Sequence, residues 1–265
     1  MKIEQRLAVI TGASRGIGAA TAHEMAARGA TVILLARTQA DLDAEVAKIA
    51  EKGGKAYAYA LDMTDAAAID KVAERIIADH GVPDILLNNA GVGRWLFAEE
   101  TPLGEEEMMI RLPYLGAFQI TRAFLPGMLK RGSGHIGIVN SPVCLMVWRG
   151  ASAYASARWA LRGFAQSLRI DLEGTGIGVS HFVLGRVDSA YFETNEGTSE
   201  RVPKIDRMVP RLTTEQAGKI IVNAIRRNRR EVTKPFMLRV FRFFNWITPG
   251  IVRYVVRKTS YQRPK

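Results

Sequence analysis

The sequence has little cysteine and no long apolar run, and both absences restrict what the protein is. Its single cysteine, Cys144, excludes an intrachain disulfide and fits a reducing compartment. No stretch is apolar over the roughly 20 residues that a membrane-spanning helix requires, and residues 1–6 are polar, so we expect neither a span nor a signal peptide. The four histidines are scattered without metal-ligand spacing, so we predict no metal site. These absences favour a cytoplasmic location.

Acidic residues are almost absent from the last forty positions. Residues 226–265 contain twelve Lys and Arg and one acid, Glu231, whereas the whole chain carries a net charge of +11. The rest of the chain is therefore neutral, and the high isoelectric point describes only its C-terminal part. We predict one domain over residues 1–234 and a basic C-terminal extension over residues 235–265.

Short apolar runs alternate with longer amphipathic stretches. The runs predict strands at Leu7–Ile10, Thr31–Leu35, Ala56–Ala60, Asp84–Asn88, His135–Asn140 and Ile177–Val183. The stretches predict helices at Gly16–Arg28, Ala40–Lys52, Asp65–His80, Glu105–Lys130 and Ser152–Leu172. Asp65 and Ser152 are the expected N-caps of the helices that they begin. Strict alternation of this kind predicts an α/β fold, a parallel sheet with helices on both faces.

The pattern loosens after the sixth strand. Residues 185–211 have weak periodicity, and a stretch of that length in a compact domain is usually a lid or a binding element. A helix then follows at Thr213–Asn228, capped by Thr213 or Thr214, and a short last strand at Glu231–Thr233.

A glycine-rich turn, TGASRGIG, follows the first strand and opens the first helix. Gly12 permits the tight turn, Gly16 lets the backbone approach a pyrophosphate, and Gly18 lets the helix pack on the strand. Free N–H groups and the helix dipole favour phosphate there. The predicted cofactor contacts of the turn are Gly12, Ser14, Arg15, Gly16, Ile17 and Gly18. Such a turn also occurs simply as a tight link between a strand and a helix.

The end of the second strand favours NADP(H) over NAD(H). This strand ends with Leu35-Ala36-Arg37 and lacks the acid that holds the ribose 2′-hydroxyl in NAD sites. The guanidinium groups of Arg37 and Arg15 could pair with a 2′-phosphate, because their planar fork matches its oxygens. Two solvated surface arginines are the alternative.

With these motifs the sequence resembles the short-chain dehydrogenase/reductase family over residues 6–233. Its TGxxxGxG spacing is the family's own, Asp62 matches an adenine-contacting Asp, Asn88–Gly91 matches the NNAG motif, and Gly185 is similar to the turn beside the nicotinamide. The resemblance implies a single Rossmann-type doubly wound sheet. It implies further cofactor contacts at Asp62, Met63, Asn89, Ala90, Gly91, Tyr154, Arg158, Gly185 and Val187.

The resemblance also implies the chemistry. Ser141 and Tyr154 lie thirteen positions apart, as do the family's catalytic Ser and Tyr. Family members transfer a hydride between nicotinamide C4 and a carbonyl or alcohol carbon. Tyr154 is accordingly the expected proton donor or acceptor, and Ser141 the hydrogen-bond donor to the substrate oxygen.

Two positions depart from the family pattern. Arg158 stands where most members have Lys; it keeps the charge and the donors for the catalytic site, but a guanidinium releases no proton. Pro113 replaces the usual Asn and predicts a helix kink. Either a carbonyl at Met109 or Pro113 anchors a relay water there, or protons exchange directly with solvent. The alternative to an enzyme is an NADP(H)-binding protein with little or no turnover, a sensor or a membrane-associated scaffold.

Aromatic and apolar segments favour a hydrophobic carbonyl or alcohol substrate. They are Trp95–Phe97, Val143–Trp148 and Tyr191-Phe192, and they could equally be core. Cys144 lies beside Ser141 without an activating neighbour, so we interpret it as a packing residue. The resemblance implies a homo-oligomer, a dimer or a tetramer, through the helices that contain Pro113 and Tyr154.

The C-terminal extension interleaves arginines with bulky apolar residues. Pro249-Gly250 divides it into two halves, each too short to span a bilayer. This pattern suits a pair of helices on an anionic membrane surface, and hence a peripheral membrane protein. An oligomer interface or a lid over the substrate pocket is the alternative. Nucleic-acid binding is not favoured, because no recognition motif accompanies the charge.

Overall fold

The computed structural model describes residues 1–189, 191, 195 and 197–263, and seven strands within them form one parallel sheet. The strands of the described residues are β1 Leu7–Thr11, β2 Thr31–Ala36, β3 Lys55–Ala60, β4 Ile85–Asn88, β5 Gly134–Asn140, β6 Ile177–Leu184, β7 Val187–Asp188, β8 Leu212–Thr213 and β9 Glu231–Lys234. The order across the sheet is β3-β2-β1-β4-β5-β6-β9. This order reverses between β1 and β4, and sheets of this type bind ligands at such a point.

Helices cover both faces of the sheet. Within the described residues the α-helices are α1 Gly16–Ala27, α2 Gln39–Glu51, α3 Ala66–His80, α4 Glu105–Ile110, α5 Gly116–Arg131, α6 Ser152–Asp171, α7 Thr214–Arg226, α8 Phe236–Ile247 and α9 Pro249–Thr259. One core joins the sheet to α1, α2 and α7, and the other joins it to α3, α5 and α6. Successive residues of β1 belong to opposite cores, as with Ala8 and Val9. The predicted α/β fold with helices on both faces is therefore confirmed.

The helix caps agree with the sequence in two places and differ in a third. The Asp65 carboxylate accepts from Ala68 N at 3.0 Å, and Thr213 Oγ1 accepts from Gln216 N at 3.2 Å. The prediction of Ser152 as an N-cap is wrong. The Ala151 carbonyl already accepts the first helical bond, from Ala155 N at 2.7 Å, so Ser152 is the first residue inside α6.

The predicted single helix over residues 105–130 is wrong in one detail. A π-helical turn, Arg111–Leu115, separates α4 from α5. Pro113 lies buried at its centre and lacks the N–H group that an α-helical bond requires, which explains the local widening. A π turn thus lies where the kink was predicted, and both a bend of the helix axis and a relay water beside it stay predictions.

The segment after β6 has little regular structure of its own. Strands β7 and β8 pair in parallel as a separate two-stranded ribbon, and short 3₁₀ turns lie at Ser199–Arg201 and Lys204–Met208. Phe192, which we expected near the substrate, lies outside the described residues.

The C-terminal extension folds into two short helices that pack on the rest of the chain. We call α8 and α9, residues 236–259, the roof. Asn245 Nδ2 donates to the Leu145 carbonyl at 3.3 Å, Arg242 pairs with Glu231, and Arg263 beyond the roof pairs with Glu99 at 2.8 Å. Every helix in the described ranges is too short or too polar to cross a bilayer.

Candidate active site

A cavity of about 490 Å³ lies at the carboxyl edge of the sheet, where the strand order reverses. It gathers most of the residues that the sequence predicted. They are Gly12, Ser14, Arg15, Gly16, Ile17, Arg37, Met63, Asn89, Ala90, Gly91, Ser141, Tyr154, Arg158, Gly185 and Val187. The glycine-rich turn, the NNAG motif and the Ser-Tyr-Arg set thus line one cavity.

Gly18 and Asp62 are the two predicted residues that do not line this cavity. Gly18 lies beneath the turn, where a Cβ atom would overlap the Gly12 carbonyl oxygen and approach Asn89 Nδ2 at 2.7 Å. Its role is therefore the close helix-to-strand packing that the motif requires. The Asp62 carboxylate accepts from Thr64 N at 2.9 Å and Thr64 Oγ1 at 2.8 Å. An adenine contact of Asp62 stays a prediction.

Hydrogen bonds between two strand ends fix the glycine-rich turn. Thr11 Oγ1 accepts from Asn89 N and Ala90 N, both at 3.0 Å. Asn89 Nδ2 donates to the carbonyls of Thr11 at 3.0 Å and Gly12 at 3.1 Å. Among the described residues, no side chain caps α1 and no acid lies in its first turn. The N-terminal N–H groups of α1 are therefore available to an anion in the cavity.

Three exposed charges surround the end of the cavity beside β2. Arg15 precedes α1, Arg37 follows β2, and Asp41 lies in the first turn of α2. The two guanidinium groups outnumber the carboxylate, so this end is positively charged overall. Asp41 is a residue that the sequence reasoning missed, because it lies beyond the strand end where an acid was sought.

Tyr154 and Arg158 lie one turn apart on α6 and are buried together. Their exposed fractions are 5% and 7%, and the Arg158 guanidinium carbon lies 4.9 Å from the centre of the Tyr154 ring. The Arg158 carbonyl accepts from Asn140 Nδ2 at 3.0 Å, which ties α6 to the end of β5. Within the described part of the chain, the buried Arg158 Nε has no hydrogen-bond acceptor. A buried N–H without a partner costs roughly 1–3 kcal/mol, so this site favours a ligand that accepts from it.

Two glycines after β4 leave space for this pair. A Cβ on Gly91 would stand 2.6 Å from Arg158 Nη2, and one on Gly93 would stand 2.5 Å from Tyr154 Cδ2. Gly93 also has φ of +153°, a conformation that favours glycine. The backbone of this segment therefore packs directly against the Tyr154-Arg158 pair.

The segment after β7 is held against Gly93 from the other side. Tyr191 Oη donates to the Gly93 carbonyl at 2.6 Å, and the Asn195 side-chain carbonyl accepts from Gly93 N at 3.3 Å. Burial and the neighbouring phenol of Tyr154 raise the pKa of Tyr191 well above its ordinary value, so Tyr191 remains a donor. Sequence reasoning gave no role to Asn195, since no motif marks it.

The part of the cavity lining around Trp95 and Tyr154 is aromatic and apolar. The Trp95 ring lies 5.9 Å from the Tyr154 ring and 5.0 Å from the Trp148 ring, and Met146 and Tyr191 complete this wall. The predicted segments contribute only in part, because Leu96, Phe97, Val143, Leu145 and Val147 lie outside the cavity lining. Cys144 is buried, and burial raises the pKa of its thiol to about 12, which agrees with a packing role.

Sequence reasoning missed two further walls. One comes from the segment before β8 and the other from the roof. The residues are Val202, Pro203, Ile205, Asp206 and Val209 from the segment, and Leu238, Phe241 and Val256 from the roof. Burial raises the pKa of the Asp206 carboxyl, against the opposing effect of Arg186 and Arg211. The roof thus fits the lid that was one alternative for the C-terminal extension.

A glycine-rich turn at the switch point of a parallel sheet defines a Rossmann-type α/β protein. The family model for short chain dehydrogenase matches residues 6–200, and the chain belongs to that family of oxidoreductases.

Two relatives extend this comparison. The chain is 33% identical over 235 residues to probable oxidoreductase EphD of Mycobacterium tuberculosis, covering 84% of this chain and 40% of that protein. It therefore spans about two fifths of that relative's length. It is also 33% identical over 225 residues to a fatty acyl-CoA reductase of Acinetobacter baylyi, covering 84% of this chain and 74% of the relative.

Solved structures agree on the fold. A short chain dehydrogenase/reductase from Burkholderia phymatum in complex with NAD matches with a TM-score of 0.85 at 19% identity, covering 100% of both chains. A metagenomic short-chain oxidoreductase in complex with NADP matches with a TM-score of 0.66 at 33% identity, covering 70% of this chain and 84% of that one.

Proposed function

We propose that this chain is an NADP(H)-dependent oxidoreductase that interconverts a carbonyl and an alcohol on a hydrophobic substrate. One observation carries the proposal: a single cavity joins the uncapped N-terminus of α1 to the buried Tyr154-Arg158 pair and to Ser141. An anion site and a proton donor in one cavity are what hydride transfer from a dinucleotide requires.

The residues present fit the cofactor. The N–H groups at the start of α1 suit the pyrophosphate, and the unpartnered Nε of Arg158 suits an acceptor such as a ribose hydroxyl. When bound, NADP(H) supplies or accepts the hydride. Arg15 and Arg37 would hold the 2′-phosphate against the opposing charge of Asp41. The metagenomic relative in complex with NADP supports this choice.

Residues of α6 and at the end of β5 transfer the proton and orient the substrate oxygen. In reduction Tyr154 donates its phenolic proton to the substrate oxygen, and in oxidation its phenolate accepts the proton. Ser141 donates a hydrogen bond to the same oxygen. The Arg158 guanidinium, 4.9 Å from the ring centre, stabilises the phenolate electrostatically but releases no proton of its own.

The apolar walls of the cavity favour a hydrophobic substrate. Trp95 lies beside Tyr154 and packs on Trp148, and Leu238 and Val256 line the same cavity from the roof. Burying such a substrate gains about 25 cal/mol for each Å² of apolar surface. The name of the Acinetobacter baylyi relative, a fatty acyl-CoA reductase, supports a lipid-like carbonyl.

The proposal also covers the oligomeric state of the protein and its location in the cell. The groove between α5 and α6, where Phe118 and Leu129 are 45% and 42% exposed, is the contact of a homodimer or homotetramer. The basic extension binds an anionic membrane surface, so that the enzyme is a peripheral protein of the cytoplasm.

A substrate screen tests the proposal. The full chain is mixed with NADPH or NADH and with aldehydes and ketones of increasing chain length, and the loss of reduced cofactor is followed. We expect turnover with NADPH that increases with the length of the apolar chain. If NADPH binds but no carbonyl is reduced and no alcohol is oxidised, the protein is a cofactor-binding protein without turnover.

A further inference from the structure

The two faces of the roof meet different surroundings. Leu238 and Val256 on its inner face are 3% and 5% exposed, and with Phe241 they line the cavity. A helix is about 10 Å across with its side chains, so only one helix thickness separates the cavity from the outer face.

The outer face of the roof carries an unusual concentration of exposed apolar groups. Seven large apolar side chains there are each at least half exposed. They are Phe236, Phe243, Phe244, Trp246, Ile247, Ile251 and Tyr254. Exposed apolar side chains concentrated in this way on two neighbouring helices are typical of an interaction surface.

The charges on the roof indicate that its binding partner is anionic. Residues 235–265 contain seven Lys and Arg and no acid. Arg239, Arg253, Arg257 and Lys258 are exposed on the two helices, and the Arg239 guanidinium lies 5.7 Å from the ring centre of Phe236. A second copy of the same patch would bring cations against cations, whereas anionic headgroups complement arginines that lie among aromatic rings.

The lengths of the two helices decide how the roof would lie on a membrane. Helix α8 has 12 residues and α9 has 11, far below the roughly 20 that a span requires. On a membrane the roof would therefore lie in the plane of the headgroups, with its outer aromatic rings toward the acyl chains and its inner face over the cavity.

We propose that the roof rests on an anionic bilayer and admits long-chain aldehydes or ketones directly from that bilayer into the cavity. This inference extends the proposed carbonyl activity by naming the source of its substrate. The same two helices form the membrane-facing surface and a wall of the substrate space, so a lipid reaches Tyr154 without crossing water.

The first measurement is vesicle binding by the full chain. Flotation with phosphatidylcholine vesicles is compared with flotation when about one fifth of the lipid is phosphatidylglycerol. We expect at least tenfold stronger binding to the anionic vesicles, and a loss of that gain in Phe243→Ser/Phe244→Ser. The control is Leu103→Ser, which removes a fully exposed apolar side chain outside the roof. Equal binding to both vesicle types overturns the proposal, and so does the absence of binding to either type. Binding of the full chain to acidic proteins but to neither vesicle type overturns it as well.

The second measurement follows uptake into the cavity. Trp95 and Trp148 line the cavity, so a brominated long-chain ketone supplied in vesicles quenches their fluorescence on entry. Trp159 and Trp246, which lie outside the cavity lining and are 46% and 80% exposed, are first replaced by Phe in every protein compared. We expect uptake to be at least tenfold slower in Phe243→Ser/Phe244→Ser, while a short, water-soluble brominated ketone enters at an unchanged rate. Equal uptake of the vesicle-borne ketone overturns the proposal.

The uptake assay requires neither cofactor nor turnover. A failure of the proposed carbonyl chemistry is seen as absent NADPH oxidation in solution, and a failure of the membrane route is seen as unchanged quenching. The two failures are therefore distinguishable.

Discussion

The sheet and the roof are built in opposite ways. Around the sheet, backbone contacts and hydrogen bonds fix the site, as where Asn89 holds the carbonyls of Thr11 and Gly12. The roof is held by buried side chains of its inner face, such as Leu238 and Val256, and by side-chain bonds such as that of Asn245, and it leaves its outer aromatic rings exposed. The basic excess also lies in the last forty residues, which contain twelve Lys and Arg and one acid, whereas the remainder is neutral.

This difference assigns separate tasks to the two regions. We expect positions around the sheet to determine cofactor binding and proton transfer, because small displacements there would move reacting groups. We expect positions in the roof to determine which substrate enters and how tightly it is held. Substitutions in the two regions should therefore change different quantities.

A methyl group added under the glycine-rich turn should have the largest effect. In Gly18→Ala the new Cβ overlaps the Gly12 carbonyl, and backbone cannot yield without moving α1. We expect loss of NADPH binding and a lower melting temperature, measured by fluorescence titration and thermal unfolding. The matched control is Gly250→Ala in the roof, where no described atom lies within 4 Å of the added Cβ. NADPH affinity that survives in Gly18→Ala would contradict the assignment.

Removing the positive charge beside Tyr154 should have the second largest effect. Arg158→Met keeps much of the side-chain volume but loses the charge that stabilises the phenolate, so kcat should fall by about 100-fold. Arg158→Lys restores a cation and should remain within about tenfold of the parent. If Arg158→Met and Arg158→Lys lose the same activity, Arg158 contributes through the shape of its side chain and not through its charge.

The choice between NADPH and NADH should respond more moderately. Arg37→Ala removes a charge-assisted contact to the 2′-phosphate, so the Kd for NADPH should rise by roughly 10- to 100-fold. The Kd for NADH, which lacks this phosphate, is the internal control and should stay constant. Asp41→Asn should act in the opposite direction and tighten NADPH binding. Equal weakening of both cofactors would show that Arg37 supports the site only structurally.

The smallest effect is expected in the roof. Phe241→Ala removes one apolar contact worth about 1 kcal/mol, so the KM for a long-chain ketone should rise about fivefold. The Kd for NADPH should not change. Phe244→Ala, on the exposed face of the same helix, is the matched control and should leave KM in detergent-free solution unaltered. A rise in the Kd for NADPH in Phe241→Ala would show that the roof also affects cofactor binding, and would contradict the separate roles of the two regions.

The sequence predicted the sheet and most of the residues that line the cavity at its edge, because short-range chemistry determines them. The spacing of Gly12, Gly16 and Gly18 and the apolar strands carry their meaning within a few residues. Arg158 and Pro113 were recognised as departures for the same reason, although the π turn at Pro113 depends on tertiary packing as well as on the missing N–H group.

Long-range packing determined what the sequence could not predict. Asn195 reaches Gly93 across about a hundred positions, and no local pattern marks such a contact. Likewise, the alternation of Arg and apolar residues in the roof predicted two amphipathic helices. It left open whether their inner face would cover the cavity, because an amphipathic pattern does not specify its partner.

The central claim is that Tyr154 transfers the proton while Arg158 stabilises its phenolate. The most direct test compares Tyr154→Phe with the parent on a carbonyl compound that the parent reduces, with NADPH binding measured in parallel. We predict that kcat falls by about 1000-fold while the Kd for NADPH changes by less than about threefold. Undiminished NADPH oxidation by Tyr154→Phe on that substrate would contradict the claim.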